Sequence, residues 1–320
     1  MIIVTGAAGF IGSCVVSELN RSGYRDIIAV DVLRQNDKWK NLRHLDFVDY
    51  LDRGQLPGFL HDAQQVEAVI HMGACSATTE KDTSYLMENN YRYTLYLADY
   101  CIKNKLRFIY ASSAATYGMG EQGYDDDESR LEQLRPMNMY GYSKQIFDLK
   151  ARREGWLKQI VGLKFFNVYG PNEYFKGDMA SVIFKAFNQI RKTGEVRLFK
   201  SHRPDFKDGE QLRDFVYVKD VVSIVKYLLE NPHVNGIFNV GTGKARSFKD
   251  LVTATFKAMD MEPKIVYIDM PEEIRDRYQY FTEAKMDKLR KTGYRKPFFN
   301  LEDGITDYVR NYLSRDFAHF

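Results

Sequence analysis

The sequence predicts an α/β protein, in which a doubly wound parallel sheet is joined by a smaller, mixed α/β domain. Short apolar runs at residues 1–4 and 27–30 are typical of buried strands, and longer helical patterns separate such runs along the chain. Strands that alternate with helices favour a parallel sheet covered on both faces. With 320 residues, of which 44% are hydrophobic, the chain can form substantial cores.

A glycine-rich turn follows the first predicted strand. The run TGAAGFIG at residues 5–12 places glycines at 6, 9 and 12, where they allow a sharp turn, close approach of a pyrophosphate and tight helix packing. The helix that begins there presents free N–H groups to an anion. Asp31 ends the second strand about 20 residues later, where an acidic side chain binds an adenosine ribose. The segment therefore predicts a Rossmann-type dinucleotide site.

Three further strands are predicted in the first half of the chain. They cover residues 67–70, 107–111 and 160–166, and residues 83–103 between them have helical periodicity. The second of these strands leads into the hydroxyl-rich run SSAATYG at residues 112–118. Ligands of such sheets bind outside the carboxyl ends of the strands, so these hydroxyls are expected at the site.

The composition changes near residue 167, where the alternation of strands and helices breaks. We therefore predict a dinucleotide-binding domain over residues 1–167 and a mainly substrate-binding domain over residues 168–320. A strand at 214–218 and the helix after it suggest a segment, residues 212–231, that returns to the first domain. The charged stretch 200–209 is predicted to be a loop.

Tyr140 and Lys144 form the most specific pair of candidate catalytic residues. They lie four residues apart in the helical motif YGYSK, so their side chains share one helix face. A phenol with a pKa of about 10 is a poor base at neutral pH, and a nearby cation lowers that pKa. An oxidised nicotinamide ring would add a second positive charge.

Charge and cysteine content exclude several classes of partner. The net charge of +3 comes from mixed charges without a basic block, so no nucleic-acid partner is expected. No membrane segment is expected either. The three cysteines show no metal-ligand spacing, and their odd number argues against a disulfide framework. Because the first strand starts at Met1, no signal peptide is expected, and the predicted location is the cytoplasm.

Taken together, the motifs resemble the sugar-nucleotide epimerases of the extended short-chain dehydrogenase/reductase superfamily, over essentially the whole chain. Within that group, the sequence is most similar to the ADP-glyceromanno-heptose 6-epimerases, which act in assembly of the lipopolysaccharide core. The segments that carry this resemblance are GACS at 73–76, YASSAATYG at 110–118, YGYSK at 140–144, FNVYGP at 166–171, KGDMASV at 176–182 and RYQ at 277–279.

The resemblance implies inversion at C6 of ADP-D-glycero-D-manno-heptose by transient oxidation and re-reduction. Tyr140 would be one acid/base, assisted by Lys144, and Ser113 would orient the substrate hydroxyl. Lys176 would serve the opposite face, since desolvation and nearby positive charge can lower the pKa of a lysine. The resemblance also implies a homo-oligomer, typically a homopentamer.

Cofactor contacts follow partly from the motif and partly from the resemblance. Asp31 favours NAD by the general rule, whereas Arg34, Lys38, Arg43 and Arg53 can neutralise a 2′-phosphate. The resemblance favours NADP, which is our prediction, with NAD as the alternative. The expected contacts are Gly6, Gly9, Phe10, Ile11, Gly12, Asp31, Val32, Lys38, Arg53, Met72, Gly73, Ala74, Cys75, Ser76, Asn89, Lys144, Val168 and Lys176.

Substrate contacts are implied by the resemblance, with Arg213 suited to a diphosphate through bidentate hydrogen bonds. The expected set is Ser113, Asn167, Asp178, Lys185, Phe199, Lys200, Ser201, His202, Arg213 and Tyr278. Lys164, Asn172 and Met72 depart from the pattern usual in these enzymes.

Three alternatives differ in what they require. A sugar-nucleotide 4,6-dehydratase needs an acid/base pair after the strand-end hydroxyl, where this chain has Ala114 and Ala115. A UDP-hexose 4-epimerase shares the tyrosine and serine, but the segment around Lys176 favours the heptose enzymes. A dinucleotide-sensing binding protein has no need of the tyrosine, lysine and serine set.

Overall fold

The computed structural model describes residues 1–34, 36–63, 65–275 and 278–320, and its main feature is a seven-stranded sheet. The strands of the chain are β1 Ile2–Thr5, β2 Ile27–Asp31, β3 Asp49–Asp52, β4 Ala68–His71, β5 Arg107–Ser113, β6 Ile160–Phe165, β7 Asn167–Tyr169, β8 Val196–Phe199, β9 Leu212–Tyr217, β10 Gly236–Val240, β11 Ala245–Ser247 and β12 Ile265–Ile268. The large sheet has the order β3-β2-β1-β4-β5-β6-β10, and all its pairs are parallel. The predicted doubly wound α/β class is thus confirmed.

Helices cover both faces of this sheet. They are α1 Phe10–Arg21, α2 Leu56–Asp62, α3 Thr83–Leu86, α4 Tyr93–Lys103, α5 Met139–Arg153, α6 Val182–Thr193, α7 Val218–Glu230, α8 Phe248–Ala258, α9 Glu272–Arg275, α10 Asp287–Lys291 and α11 Leu301–Tyr308. On one face α1 packs against α7, and on the other α5 packs with α3 and the turn before α4. The buried strands explain this arrangement, because β1, β2 and β4 have no exposed residue and need cover on both sides.

The helix predicted over residues 83–103 is interrupted. A π-helical turn, Met87–Arg92, joins α3 to α4. Such turns are often found at functional sites, because the extra residue redirects the side chains around it. This one carries Asn89, which lines the site described below, and the buried Asn90, which bonds a loop beside that site.

The second half of the chain forms two small sheets and a helical cluster. β7 and β9 pair in parallel, β11 joins β9 in antiparallel orientation, and β8 pairs with β12. α6, α8 and α11 pack together beside them. This cluster and the carboxyl edge of the large sheet are the two walls of the site.

Two local expectations need correction. The strand predicted over 160–166 ends at Phe165, and residues 167–169, expected to break the pattern, form β7 of a different sheet. The large sheet also gains β10, which lies beyond the predicted return segment 212–231. The reason is that α7 is a crossover helix, and the strand after a crossover returns to the sheet that the helix covers.

Candidate active site

The glycine-rich turn lies where the strand order reverses, between β1 and β4. Gly6 has a φ of +69°, and a Cβ there would lie 2.6 Å from the Gly73 nitrogen. A Cβ on Gly12 would lie 2.0 Å from the Gly6 carbonyl oxygen. Both positions therefore require glycine, and the crevice they leave open is the usual place for a dinucleotide in this type of sheet.

A cleft of about 230 Å³ extends from this turn along β2. We call it the ribose cleft. The predicted cofactor residues that line it are Gly6, Asp31, Val32, Lys38, Arg53, Gly73, Ala74 and Asn89. Arg34 lines it too, whereas Arg43 does not and instead lies 5.7 Å from the ring of Trp39. These predicted cofactor residues thus converge on one cleft from separate segments of the chain.

Asp31 is fixed at the bottom of the ribose cleft. One carboxylate oxygen accepts a hydrogen bond from the Ala8 nitrogen at 2.8 Å, and the other accepts from the Val32 nitrogen at 2.6 Å. The Lys38 ammonium pairs with that second oxygen at 2.5 Å. The carboxylate is therefore partly engaged by the protein, and its charge is balanced by a lysine within the cleft.

The loop after β4 is held by Asn90, a residue that sequence reasoning missed. Its side-chain oxygen accepts from the Cys75 nitrogen at 2.8 Å, and its amide donates to the Cys75 carbonyl at 2.9 Å and to the Ser143 hydroxyl at 3.1 Å. Asn90 therefore ties the cofactor loop to the helix of Tyr140. The neighbouring Asn89, which was predicted, bonds Arg53 instead.

A second, larger cavity of about 830 Å³ lies between the carboxyl edge of the large sheet and the second half of the chain. We call it the reaction cavity. Its lining includes the predicted residues Phe10, Ile11, Ser76, Ser113, Tyr140, Asn167, Val168, Lys176, Asp178, Lys185, Phe199, Arg213 and Tyr278. The structure thus brings all three predicted proton-handling side chains, Tyr140, Ser113 and Lys176, to one cavity.

Some predicted residues line neither cavity. Three of the substrate set lie on the 200–209 loop: Lys200 pairs with Asp269 at 3.2 Å, and the Ser201 and His202 nitrogens bond Asp208 and Tyr280. The structure does not place these three with the rest. The others, all from the cofactor set, are Gly9, Gly12, Met72, Cys75 and Lys144.

Tyr140 enters the reaction cavity from the first turn of α5. The helix begins after Asn138, whose side chain accepts from the Gly141 nitrogen at 2.8 Å and so caps it. Burial raises the pKa of Tyr140, and a hydrogen bond with Ser113 opposes that shift. The expectation that Lys144 lowers this pKa is not met by the protein groups. The Lys144 ammonium donates instead to the Ala111 carbonyl at 2.8 Å.

Lys144 is itself perturbed by its surroundings. Burial lowers its pKa to about 8, although the charge of Asp148 opposes this shift. The side chain is 3% exposed and is anchored at the end of β5. A buried ammonium of this kind is a fixed positive charge one helical turn after Tyr140.

Ser113 combines a local and a site role. Its hydroxyl oxygen accepts from the Ala115 nitrogen at 3.1 Å, which caps the short 3-10 helix Ala114–Tyr117. The same hydroxyl opposes the rise that burial causes in the pKa of Tyr140, so the two side chains lie near each other. The backbone bond holds the serine oxygen in place on the cavity wall.

A fully buried ion pair lies directly behind this wall. The Lys164 ammonium contacts Asp148 at 2.7 Å and the Thr116 hydroxyl at 2.6 Å, and neither charged side chain is exposed. The hydroxyls of Tyr110 and Ser112 donate to the same carboxylate at 2.8 and 2.7 Å. Lys164, which departs from the family pattern, is therefore a structural residue that joins α5, β5 and β6.

Lys176 reaches the reaction cavity from an irregular loop, residues 170–181. Its ammonium lies 5.2 Å from the centre of the Phe10 ring in the glycine-rich turn. Burial lowers the pKa of Lys176, and the charge of Glu173 opposes the shift. The Glu173 carboxylate closes the loop, because it accepts from both the nitrogen and the hydroxyl of Ser181 at 2.6 Å.

Two further cationic side chains, Arg213 and Lys185, line the reaction cavity. Arg213 is 8% exposed, and its guanidinium lies 5.3 Å from the Tyr278 ring centre and 5.7 Å from that of Phe248. Lys185 projects from α6, with its ammonium 2.6 Å from the Asp178 carbonyl oxygen. Arg277, part of the predicted RYQ motif, lies outside the described residues.

Of the other departures from the family pattern, Asn172 has a structural explanation, and nothing in the structure explains the side chain of Met72. Asn172 adopts a φ of +74°, which asparagine tolerates well, and is 1% exposed. The Met72 nitrogen donates to the Thr5 carbonyl at 3.1 Å, so its backbone continues the contact between β4 and β1.

Residues 1–34, 36–63, 65–275 and 278–320 contain neither a membrane-spanning helix nor a cluster of metal-ligating side chains. No helix there is both long enough and apolar enough to span a bilayer. Nor do three or more His, Cys, Asp or Glu side chains come together there as a metal site.

The chain matches known proteins over its full length. A curated protein of Nitratidesulfovibrio vulgaris strain DP4, named ADP-L-glycero-D-manno-heptose-6-epimerase, is 58% identical, with 98% of each chain covered. A protein of the same name from Fusobacterium nucleatum is 54% identical, with 99% of each covered. Identity at this level over whole chains shows common ancestry and a common fold.

Solved structures give the same fold with lower identity. The Helicobacter pylori ADP-L-glycero-D-manno-heptose-6-epimerase has a TM-score of 0.80 and 27% identity, with 97% of this chain and 95% of that chain covered. The Thermotoga maritima UDP-glucose 4-epimerase, solved with UDP-glucose, also has a TM-score of 0.80, with 25% identity and 99% coverage of both chains. Residues 2–241 match the model of the NAD dependent epimerase/dehydratase family. The chain therefore belongs to this family, and its cofactor is a nicotinamide dinucleotide.

Proposed function

We propose that the protein is an isomerase that inverts C6 of ADP-D-glycero-D-manno-heptose to give ADP-L-glycero-D-manno-heptose. The observation that carries this proposal is the convergence of Tyr140, Ser113 and Lys176 on one cavity beside the glycine-rich turn. Relatives that are 54–58% identical and bear this enzyme's name support the choice of substrate. Fold similarity alone does not select it, because the UDP-glucose 4-epimerase matches equally well.

The protein groups divide the proton transfers between two positions. Tyr140 exchanges a proton with the C6 oxygen on one face, and the Ser113 hydroxyl orients that oxygen. Lys176 exchanges a proton with the C6 oxygen on the opposite face of the substrate. Burial lowers the pKa of Lys176 and so favours this acid–base role. When bound, the nicotinamide ring stores the hydride temporarily, so the reaction has no net redox change.

The ribose cleft favours NADP over NAD as the resident dinucleotide. Arg34, Lys38 and Arg53 line it, whereas Asp31 is the acidic residue of the lining and is already paired with Lys38. These charges suit a 2′-phosphate. To test this, stripped protein is dialysed against each nucleotide, and tighter binding of NAD would contradict the assignment.

Arg213 and Lys185, which both line the reaction cavity, are suited to the substrate's diphosphate. Arg213 provides a planar guanidinium whose position is fixed by the aromatic rings around it, and Lys185 adds a second charge from α6. Asn167, Phe199 and Tyr278 line the same cavity, in which the sugar and nucleotide would lie. This assignment makes residues 168–320 the main substrate-binding part and residues 1–167 the dinucleotide-binding part.

We also propose a cytoplasmic homo-oligomer, with five subunits as the family resemblance implies, that acts in lipopolysaccharide core biosynthesis. The subunit number is measured by light scattering of the purified protein. A monomer would contradict the proposal.

The function is tested with the substrate itself. Cofactor-loaded protein is incubated with ADP-D-glycero-D-manno-heptose, and the C6 configuration is followed by NMR; we expect a mixture of both epimers. UDP-glucose is the comparison substrate and should remain unchanged. Persistence of a single heptose epimer would reject the proposal, and conversion of UDP-glucose to its C4 epimer would favour a 4-epimerase.

A further inference from the structure

The loop of Lys176 is held in place by the last residues of the structure. Residues 317–320, which we call the clasp segment, follow the helical turn Val309–Leu313 and run beside the 170–181 loop. They are more than 130 positions away in sequence from that loop. Contacts between two such segments are set only by the tertiary fold.

The first contact fixes the start of the loop. The Asn172 side-chain oxygen accepts from the Phe320 nitrogen at 3.0 Å, and its amide donates to the Ser13 hydroxyl at 2.9 Å. The Asn172 carbonyl also accepts from the Asn41 side chain at 3.1 Å. One buried asparagine thus links the loop to α1 and to the clasp segment.

The second contact involves the two residues directly before Lys176. The Tyr174 hydroxyl donates to the Ala318 carbonyl at 2.7 Å. The His319 ring stacks on Phe175, with 6.4 Å between ring centres and 14° between ring planes, and meets Tyr174 edge-on at 5.6 Å. The backbone that leads into Lys176 is therefore packed against aromatic side chains.

The clasp segment is anchored at both ends. Phe317 packs against Phe184 and Phe187 of α6, with ring centres 6.0 and 6.3 Å apart. The Phe320 ring is 7% exposed and lies 3.8 Å from the Arg21 guanidinium of α1. The segment thus spans from the helix after the loop to the helix of the glycine-rich turn, where the Lys176 ammonium lies over Phe10.

We propose that His319 and Tyr174 are positioning residues that set the place of the Lys176 ammonium relative to the glycine-rich turn. The proposal rests on the proposed function, in which Lys176 transfers a proton. Regular structure in the 170–181 loop is limited to the three-residue 3-10 turn Gly177–Met179, so the loop has little rigidity of its own. Proton transfer is sensitive to displacements of about 1 Å. The clasp segment supplies the missing rigidity.

The test compares His319→Ala with His319→Phe in cofactor-loaded protein. The alanine removes the ring stacked on Phe175, whereas phenylalanine keeps it. No hydrogen bond of His319 Nδ1 is lost in either, since this atom has no partner among the described residues. We expect His319→Ala to lower kcat by about tenfold to 10²-fold with KM changed less than twofold, and His319→Phe to restore most of the activity.

Hydrogen exchange gives a readout that does not depend on turnover. In His319→Ala, amides of residues 170–181 should exchange faster, while those of the glycine-rich turn and α5 stay protected. Tyr174→Phe, which removes the bond to Ala318, should act in the same direction. The exposed Arg315 makes no side-chain hydrogen bond or ion pair with the described residues, so Arg315→Ala is the matched control.

The possible results separate this proposal from the proposed function. Activity of His319→Ala within twofold of the parent, alongside an inactive Lys176→Met, would overturn the positioning role. Amide hydrogen exchange of residues 170–181 that is the same in His319→Ala as in the parent would also overturn the positioning role. A fully active Lys176→Met variant would remove Lys176 from catalysis and, with it, the positioning role of the clasp segment, while the epimerase function would stand. A parent protein that leaves ADP-D-glycero-D-manno-heptose as a single epimer would overturn the proposed function itself.

Discussion

The two sides of the reaction cavity are built in different ways. Tyr140, Lys144 and Ser113 lie on the sheet side, on α5 and at the end of β5, where a buried ion pair and the Lys144–Ala111 bond fix them. Lys176 lies on the loop side, within residues 170–181, and depends on distant partners. An enzyme that must address both faces of one carbon has one rigid wall and one wall that needs external support. The following predictions test that contrast.

The largest expected effect is loss of either proton-transfer group. Tyr140→Phe and Lys176→Met should each slow epimerisation by about 10²–10⁴-fold, the usual contribution of a general acid or base, while the bound cofactor is retained. Rates come from NMR and cofactor content from absorbance. Tyr142→Phe is the matched control, because Tyr142 lies on the same helix with 46% of its surface exposed. Equal activity of Tyr140→Phe and Tyr142→Phe would show that Tyr140 does not transfer a proton on the sheet side.

The rigidity of the sheet side is tested at Lys164. Lys164→Met leaves Asp148 buried without its cation and should lower the free energy of unfolding by about 3–5 kcal/mol. Urea unfolding measures this, and the exposed Lys158→Met serves as control. A double variant, Lys164→Met with Asp148→Leu, should recover part of the loss. A loss below about 1 kcal/mol for the single variant would mean that the ion pair does not stabilise this wall.

A pH effect is expected from Asp126, which also supports the sheet side. Its carboxylate accepts from the Asn239 nitrogen of β10 at 2.8 Å, and burial raises its pKa from 3.8 to about 6. Because the folded state holds the proton more tightly, this group's contribution to stability is complete below pH 3.8 and is lost as the pH rises through about 6. Relative to Asp126→Asn, the parent should lose on the order of 2 kcal/mol between pH 4 and 7, as measured by urea unfolding. A difference in the free energy of unfolding between the parent and Asp126→Asn that stays constant from pH 4 to pH 7 would contradict this prediction.

The smallest effect is expected at the ribose cleft. Arg34 is exposed and lines the cleft, so Arg34→Ala should weaken NADP binding by roughly fivefold, or about 1 kcal/mol, and leave NAD binding unchanged. Calorimetry on stripped protein measures both. Arg43→Ala, whose guanidinium lies beside Trp39, is the control. Equal weakening of both nucleotides would show that Arg34 does not contact a 2′-phosphate.

Much of the sheet side could be predicted from the sequence, because its signals are local. Glycine spacing, apolar runs and the four-residue interval between Tyr140 and Lys144 each act within one strand, turn or helix. Asn90 was not predicted. It is adjacent to the expected Asn89, and only the geometry of the π-helical turn decides which of the two side chains points towards the Cys75 backbone. The direction of the Tyr140 pKa shift was also missed, because it is set by burial rather than by the spacing of two side chains.

Local patterns in the sequence predicted the doubly wound fold and the glycine-rich turn, because backbone sterics and side-chain periodicity operate over a few residues. The proton-transfer roles of Ser113 and Lys176 came from the family resemblance. The burial of Lys164 against Asp148, the return of β10 to the large sheet and the contact of residues 317–320 with the loop of Lys176 are visible only in the tertiary structure. Those contacts join segments far apart in the chain, and only packing brings such segments together.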